Sequence, residues 1–178
     1  MAVVTEIMDA DAMRRAVKRI SHQVLESMED TDGLIIIGIK RRGISIAGQI
    51  VRNIREISGK DVAAGTLDIT FYRDDVDVKE TEKAVAGTKM DCDVDGKKVV
   101  LVDDVLYTGR TVRAAMDALT DSGRPALVKF AALVDRGHRE LPVKADFVGK
   151  NIPTAPDETI KVKVLEYDGE EGVFLEKG

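Results

Sequence analysis

The stretch VVLVDDVLYTGRT, residues 99–111, joins an apolar run to two adjacent carboxylates and then to a short polar turn that contains glycine. A short apolar run with no polar alternation is typical of a strand buried on both faces of a parallel sheet. The turn from Tyr107 to Thr111 leads into a helical pattern, and the first N–H groups of a helix attract anions. Asp103 and Asp104 are acceptors when ionised, so they suit vicinal hydroxyls or a metal ion. A phosphate site beside a diol site predicts a ribose 5-phosphate ligand.

Other interpretations of this stretch remain open from the residues alone. The acidic pair could cap a helix or bind a metal in an unrelated α/β fold. Neither the phosphate-binding pattern GxxxxGK[ST] nor the dinucleotide pattern GxGxxG occurs in the chain, which disfavours nucleoside triphosphatases and dinucleotide-binding enzymes.

Similar apolar runs occur on both sides of this stretch. GLIIIGI (Gly33 to Ile39), KVVLV at 98–102 and ALVKFAALV (Ala126 to Val134) each predict a buried strand. LDITF, which alternates Leu67, Ile69 and Phe71, predicts a further strand. The tail alternates around Asp168-Gly169 and predicts a terminal β-hairpin.

Helical spacing of apolar residues fills the segments between these strands. We expect the first helix to be capped by Asp11 and the second to run from about Ile44 until Gly59 stops it. The third follows residue 111 and has apolar positions at Val112, Ala115, Met116 and Leu119. Strands alternating with helices predict an α/β fold, a parallel β-sheet flanked by helices, over a single domain of residues 1–178.

Ligands of such sheets bind beyond the carboxyl ends of the strands. This rule selects KRRG (Lys40 to Gly43), DDVLYTGRT (Asp103 to Thr111) and DRGHRE (Asp135 to Glu140) as the candidate site.

The composition excludes several classes of function. Apolar residues make up 44% and charged residues 33% of 178 residues, an ordinary globular balance without a long apolar run that could span a membrane. Two histidines and one cysteine cannot form a zinc-type ligand cluster, and we expect no metal site made of protein ligands alone. The net charge of −5 argues against general coating of nucleic acid, so any such binding needs a local basic patch.

The 99–111 stretch resembles the 5-phosphoribosyl 1-diphosphate (PRPP) signature of type I phosphoribosyltransferases. Together with DITFYRDD (Asp68 to Asp75), DDVLYTGRTVRAAMDAL (Asp103 to Leu119) and LVDRGHRELPVKADFVGKNIPT (Leu133 to Thr154), it resembles the PyrR family. Members of that family are bifunctional pyrimidine operon attenuation regulators and uracil phosphoribosyltransferases. The resemblance covers nearly the whole chain and implies the type I phosphoribosyltransferase fold, with a small hood to which VDRGHRELP is assigned.

The resemblance implies a role for each matching residue. Asp103 and Asp104 hold the ribose hydroxyls, and together with Arg42 they are the expected catalytic residues. The 5-phosphate is wrapped by Tyr107, Thr108, Gly109, Arg110 and Thr111, which follow Val105 and Leu106. Lys40, Arg41, Arg42 and Gly43 hold the pyrophosphate, and we expect a non-proline cis peptide within Lys40 to Arg42.

Base recognition and a lid are implied as well. Val134, Asp135 and Arg136 lie nearest the pyrimidine, although RGHRELP could equally be a structural loop. Tyr72, Arg73, Asp74 and Asp75 begin a lid that extends to Lys89, whose composition also fits an ordinary surface loop. Purine-type members of the superfamily have a third acidic residue where this chain has Tyr107, which argues against a purine substrate.

A basic surface is the expected second site. The first helix places Arg14, Arg15, Lys18, Arg19 and His22 away from its apolar stripe, which by itself fits a solvated helix face. The resemblance implies that leader RNA binds a basic surface shared across a dimer. The matching positions are Arg19, His22, His138, Arg139, Lys144 and Lys150.

The implied activity converts uracil and PRPP to UMP and diphosphate, with Mg²⁺ held mainly through PRPP and diphosphate oxygens. The expected partners are PRPP, uracil, UMP, pyrimidine operon leader mRNA and further copies of the chain, as a homodimer or higher homo-oligomer in the cytoplasm. Two alternatives remain: an RNA-binding regulator whose nucleotide pocket is only a sensor, and a phosphoribosyltransferase for another nucleobase.

Overall fold

The main sheet of the chain is parallel and has five strands. The computed structural model describes residues 3–72 and 90–178. In it the strands are β2 (Leu34–Ile39), β3 (Ala63–Leu67), β4 (Lys98–Leu106), β5 (Leu127–Asp135) and β6 (Phe147–Asn151), in the spatial order β3-β2-β4-β5-β6. All neighbouring pairs are parallel. The predicted parallel sheet is therefore confirmed.

Helices cover both faces of this sheet. α1 (Ala10–Ser27) and α2 (Arg42–Ser58) pack on one face, against alternate strand residues such as Ile36 and Val102. α3 (Arg110–Ser122) packs on the other face against Ile37 and Leu101. Because successive strand side chains point to opposite faces, a continuous apolar run supplies both cores at once. Helices on both faces confirm the predicted doubly covered sheet.

A second sheet, called the hood below, contains the predicted terminal hairpin; the assignment of VDRGHRELP to a hood was wrong, because those residues finish β5 and continue into a loop. The hood consists of β1 (Val3–Met8), β7 (Glu158–Lys163) and β8 (Gly172–Lys177) in the antiparallel order β1-β8-β7. The predicted terminal hairpin is confirmed as β7 and β8, with the single helical turn α4 (Leu165–Asp168) between them. The hood is thus built from both ends of the chain, whereas residues 134–142 finish β5 and continue into a loop.

Two local predictions were wrong. The LDITF strand ends at Leu67, and Thr70–Tyr72 form a 3-10 turn instead, because the strand that pairs with β2 lies earlier, at Ala63–Leu67. The cap of α1 is Asp9 and not Asp11, since the carboxylate of Asp9 accepts the backbone N–H of Ala12 at 2.7 Å. The second helix ends as expected, with Gly59 in the left-handed region at φ 71°.

Candidate active site

The carboxyl ends of β2, β3 and β4 enclose a polar cleft of about 390 Å³. Its wall contains all the predicted residues of the pyrophosphate loop except Gly43, together with both predicted aspartates. The lining residues are Ile39, Lys40, Arg41, Arg42, Asp68, Ile69, Thr70, Asp103, Asp104, Val105 and Thr111. The structure therefore brings together residues of KRRG and of DDVLYTGRT, as the position of both segments at strand ends predicts.

Two glycines let the loop after β2 approach the sheet. A Cβ on Gly43 would lie 2.5 Å from the backbone oxygen of Val102, and one on Gly38 would lie 2.5 Å from Cα of Ile44. Only hydrogen fits at these positions, so the first turn of α2 rests directly on β2 and β4. The Lys40–Arg41 peptide bond is cis, which confirms the expected non-proline cis peptide.

The two aspartates belong to β4 itself, which continues to Leu106. Asp103 is 8% exposed and its carboxylate accepts the backbone N–H of Asp104 at 2.9 Å. The carboxylate of Asp104 is half-buried and accepts the N–H of Val105 at 2.8 Å. A carboxylate oxygen can accept more than one hydrogen bond, so this pair of carboxylates suits a diol.

The turn after β4 forms a second, adjoining pocket of about 310 Å³. Gly109 caps α3 with φ 93°, and a Cβ there would lie 2.3 Å from Cγ2 of Val143. The hydroxyl of Thr108 accepts the N–H of Arg110 at 3.3 Å, and α3 then begins with N–H groups that have no acceptor within the helix. The pocket is lined by Val105 to Val112 and by Glu140. N–H groups at the start of a helix suit a phosphate group.

The loop after β5 is fastened to this turn. The backbone oxygen of Thr108 accepts the N–H groups of Glu140 at 2.9 Å and Leu141 at 3.1 Å. The carboxylate of Glu140 accepts Nε of Arg110 at 2.8 Å. The phosphate turn is therefore held by the neighbouring loop as well as by its own helix.

The predicted base-recognition residues are largely engaged within the protein. Arg136 is 6% exposed, donates from Nη2 to the backbone oxygen of Glu158 at 2.7 Å, and lies 3.9 Å from the ring centre of Tyr107. Asp135 accepts Nη2 of Arg139. Burial raises the pKa of Asp135, but the hydrogen bonds from Arg139 and Gly137 outweigh it and leave the pKa lowered. Val134 is fully buried in β5.

The expected RNA-binding residues fall into two groups. Arg19 and His22 are exposed on α1, and the guanidinium of Arg19 donates to the backbone oxygen of Gly149, next to exposed Lys150 in β6. His138 lies after β5 with φ 61°, and its ring stands edge-on to that of Tyr107 at 6.0 Å. Arg139 donates to Asp135, Tyr107 and Val143, and Lys144 further along the same loop is exposed.

Of the predicted lid residues, only Tyr72 belongs to the described part of the chain. The hydroxyl of Tyr72 donates to Asp121 of α3 at 2.8 Å. Arg73, Asp74 and Asp75, with the rest of the segment to Lys89, lie outside the described residues.

Asp68 is a site residue that the sequence analysis missed. Its carboxylate accepts Nζ of Lys40 at 3.1 Å and the hydroxyl of Thr70 at 2.6 Å. The same strand-end rule would have found it, had the third strand been ended at Leu67. Asp168, which pairs with Arg42, was missed as well, and no local signal points to it.

Two absences bear on cofactors and membranes. Within residues 3–72 and 90–178, three or more His, Cys, Asp or Glu side chains never gather closely enough to hold a metal ion. No helix of the described part of the chain has the length and apolar character needed to cross a bilayer.

Comparison with known proteins gives the same class of fold. The family model described as "Phosphoribosyl transferase domain" matches residues 3–168. A solved structure of a hypoxanthine-guanine phosphoribosyltransferase from Bacillus anthracis superimposes with a TM-score of 0.71 at 19% identity, over 96% of both chains. A Staphylococcus aureus hypoxanthine phosphoribosyltransferase gives a TM-score of 0.70 at 16% identity, over 96% of this chain and 90% of that one. At these identities the structures show the shared fold alone.

Curated relatives narrow the class. The "Bifunctional protein PyrR" of Thermus aquaticus is 55% identical over 170 residues, which is 96% of this chain and 94% of the relative. That of Caldicellulosiruptor saccharolyticus is 52% identical over 172 residues, or 97% and 94%. The chain belongs to the phosphoribosyltransferases and, among them, to the PyrR family.

Proposed function

We propose that this chain is a uracil phosphoribosyltransferase that also regulates pyrimidine biosynthetic genes by UMP-dependent binding to leader mRNA. The observation that carries the enzymatic part is the cleft in which Asp103 and Asp104 lie between the 40–43 loop and the 107–111 turn. A diol acceptor thus has an anion site on either side of it. This is the arrangement that a ribose with a phosphate at one end and a diphosphate at the other requires.

In this proposal the ends of PRPP bind as follows. The ribose hydroxyls donate to Asp103 and Asp104, and the 5-phosphate accepts from the Thr108 to Thr111 turn and the start of α3. The diphosphate lies on the 40–43 loop, where Lys40 and Arg42 face the cleft. The exposure of Arg42, whose side chain is 37% accessible, leaves its charge available to such a ligand.

The reaction separates charge. As diphosphate leaves C1 of the ribose, the sugar ring gains positive charge and the departing oxygens gain negative charge. Arg42 stabilises the departing oxygens, and its own pKa is raised by the hydrogen bonds that it donates to Asp168, with a further contribution from the charge of Asp104. The carboxylates of Asp103 and Asp104 hold the ribose in line with the base.

We place uracil at the end of β5, beside Val134, Asp135 and Arg136. What supports this position is that the N–H of Arg136 bonds to the backbone oxygen of Leu106 at 3.1 Å, so this end of β5 adjoins the residue before Tyr107. The base nitrogen could thus approach the ribose from the side opposite the diphosphate loop. A lid over the site from Tyr72 to Lys89 belongs to the proposal as an expectation only.

Mg²⁺ is the proposed cofactor. A cleft with carboxylates at Asp103 and Asp104, and no all-protein ligand cluster within the described residues, fits an ion that binds one or two carboxylates plus substrate oxygens. When bound, the ion would supply neutralisation of the diphosphate charge. Asp103 and Asp104 are the residues placed to contact it directly or through water.

RNA would bind through Arg19, His22, His138, Arg139, Lys144 and Lys150. What supports this part is the exposure of five of these six side chains, and the contact that joins α1 to β6 beside Lys150. A folded hairpin loop of RNA would be recognised by phosphate contacts and unstacked bases. Three donors of Arg139 already serve internal acceptors, which leaves two for RNA.

We further propose that residues 1–178 form one domain, which acts in the cytoplasm as a homodimer or higher homo-oligomer. The support for one domain is a shared core, in which Ile160, Val162 and Val173 of the hood pack in the same cluster as Val102 and Leu133 of the main sheet.

The test is UMP formation from uracil and PRPP with Mg²⁺. Wild type is expected to form UMP and Asp104→Asn to lose nearly all activity, because the amide presents one acceptor where the carboxylate presents two. Asp32→Asn is the matched control, since Asp32 is exposed in the loop before β2. If wild type binds UMP without forming it, the pocket is a sensor. Turnover of a purine in place of uracil would assign the enzyme to another nucleobase.

A further inference from the structure

The C-terminal hairpin contacts Arg42, which lines the proposed diphosphate end of the cleft. Nε and Nη2 of Arg42 donate to the two carboxylate oxygens of Asp168 at 3.1 and 2.8 Å. Asp168 is the last residue of α4, between β7 and β8. Arg42 therefore lies at the start of α2, on the main sheet, and Asp168 lies in the hood.

The carboxylate of Asp168 is itself fixed. Its Oδ2 accepts the backbone N–H of Val164 at 2.8 Å, and the side chain is 17% exposed. The hydrogen bond from Arg42 keeps the pKa of Asp168 below its usual range, so the carboxylate is charged near neutral pH. Tyr167, the residue before Asp168, makes a second contact between the hairpin and the loop after β2. Its ring centre lies 5.8 Å from the guanidinium of Arg41.

The geometry of the pair leaves one edge of the guanidinium open. Arginine has five N–H donors, and pairing through Nε and Nη2 occupies one edge of the planar group. Among the described residues, no acceptor takes a hydrogen bond from Nη1 of Arg42, and the side chain lines the cleft. The free edge, formed by both terminal nitrogens, matches the oxygens of a diphosphate.

We propose that Asp168 is a positioning residue for the diphosphate of PRPP: it clamps one edge of Arg42 so that the other edge faces the ligand. The inference rests on the proposed function and adds to it a residue from outside the strand ends. Without the clamp, Arg42 keeps its charge but loses its fixed plane, and part of the binding energy is then spent on ordering the side chain.

The test compares Asp168→Asn with Glu170→Gln. Glu170 lies in the same hairpin and pairs with Lys163 at 2.5 Å, away from Arg42, so its variant reports any general weakening of the hairpin. Asp168→Asn is expected to raise KM for PRPP on the order of tenfold, the usual size of a lost charged hydrogen bond. KM for uracil is expected to stay unchanged, and Glu170→Gln should match wild type in both constants.

A double-mutant cycle separates positioning from a merely structural role. In an Arg42→Ala background, Asp168→Asn should have no further effect on KM for PRPP, because the group that it positions is gone. Equal KM values for Asp168→Asn and Glu170→Gln, or additive effects in the cycle, would overturn the inference. If Asp168→Asn does not fold, Asp168→Glu keeps the carboxylate one methylene further out, and KM for PRPP must still rise.

Calorimetric titration with PRPP and Mg²⁺ gives the same comparison without turnover. If wild type forms no UMP, the proposed activity fails, yet weaker PRPP binding by Asp168→Asn than by Glu170→Gln would still support the clamp. If wild type is active and the two variants bind PRPP equally, the clamp fails and the proposed function stands.

Discussion

Arg139 donates from Nη1 to the backbone oxygen of Tyr107 at 2.9 Å, which ties the loop after β5 to the turn that begins α3. Together with the two N–H groups that reach Thr108, this contact makes a proposed phosphate site and a proposed RNA-binding loop neighbours in one hydrogen-bonded unit. A ligand that orders the turn would therefore also order the loop, which gives the proposed UMP-dependent RNA binding a physical route.

The turn depends on the absence of a side chain at Gly109. Gly109→Ala should lower the free energy of unfolding by about 1–2 kcal/mol through its positive φ alone, and the contact with Val143 should add to this. PRPP affinity should fall as well, because the turn must shift. Gly96→Ala is the control, since Gly96 also has a positive φ but nothing within 4 Å of the added Cβ. Denaturant unfolding and PRPP titration of both variants would check this, and unchanged PRPP affinity in Gly109→Ala would contradict it.

Two glycines of α2 should respond to alanine in opposite ways. Gly43→Ala should destabilise the protein and abolish UMP formation, because its Cβ would overlap the backbone oxygen of Val102. Gly48→Ala in the same helix meets only Nη1 of Arg52 at 3.6 Å, so it should stabilise by up to about 1 kcal/mol through helix propensity. Thermal unfolding and activity assays on the pair measure both effects. Similar melting temperatures for the two variants would disprove the close-approach argument.

Removal of a cation from the proposed RNA surface should change the salt dependence of binding. Lys150→Ala should weaken leader RNA binding and lower the slope of log affinity against log salt by about 1, the signature of one lost phosphate contact. Lys161→Ala, on the exposed face of β7, should leave that slope at the wild-type value. Filter binding across a salt series with leader and scrambled RNA makes the measurement. Equal affinity of wild type for the two RNAs would remove the regulatory part of the proposal.

The Asp135–Arg139 pair should make stability depend on pH at the acidic end. Since the folded-state pKa of Asp135 is lowered, its contribution is present above the unfolded value of about 3.9 and disappears as pH falls through the folded pKa. Asp135→Asn should therefore lower the melting temperature at pH 7, and the difference from wild type should shrink below pH of about 4. Melting curves by circular dichroism at pH 7, 5 and 3 test this. A difference that stays constant with pH would mean that the ion pair contributes nothing.

The sequence predicted the parts of the fold that depend on local pattern. β2, β4 and β5 are apolar runs whose alternate residues fill two cores, and α2 ends at its glycine. The strands β1 and β6 were not predicted, because VVTEIM and FVGKN are short and exist as strands only through their partners β8 and β5. β3 was predicted too far along the chain for a related reason. Ala63 to Gly65 have weak strand propensity and are ordered by pairing with β2.

The residues of the candidate site likewise fall into those that the sequence could predict and those that it could not. Its strand-end residues could be predicted, since parallel strands bring their carboxyl ends to one edge whatever the loops do. The ion pair of Arg42 with Asp168 could not, because its members are 126 residues apart and belong to different sheets. The position of Asp68 depended on where one weak strand stops.

The hood sheet joins the most distant parts of the described chain, with Val3 opposite Lys177. Contacts of such long sequence separation carry the largest loop-closure entropy, which the packing of the hood on the main sheet offsets. The proposed site therefore depends on two sheets: the five-stranded sheet creates the places for ribose and phosphate, and the hood brings Asp168 to Arg42. A change that loosens the hood would therefore leave the sugar site in place and Arg42 without its partner.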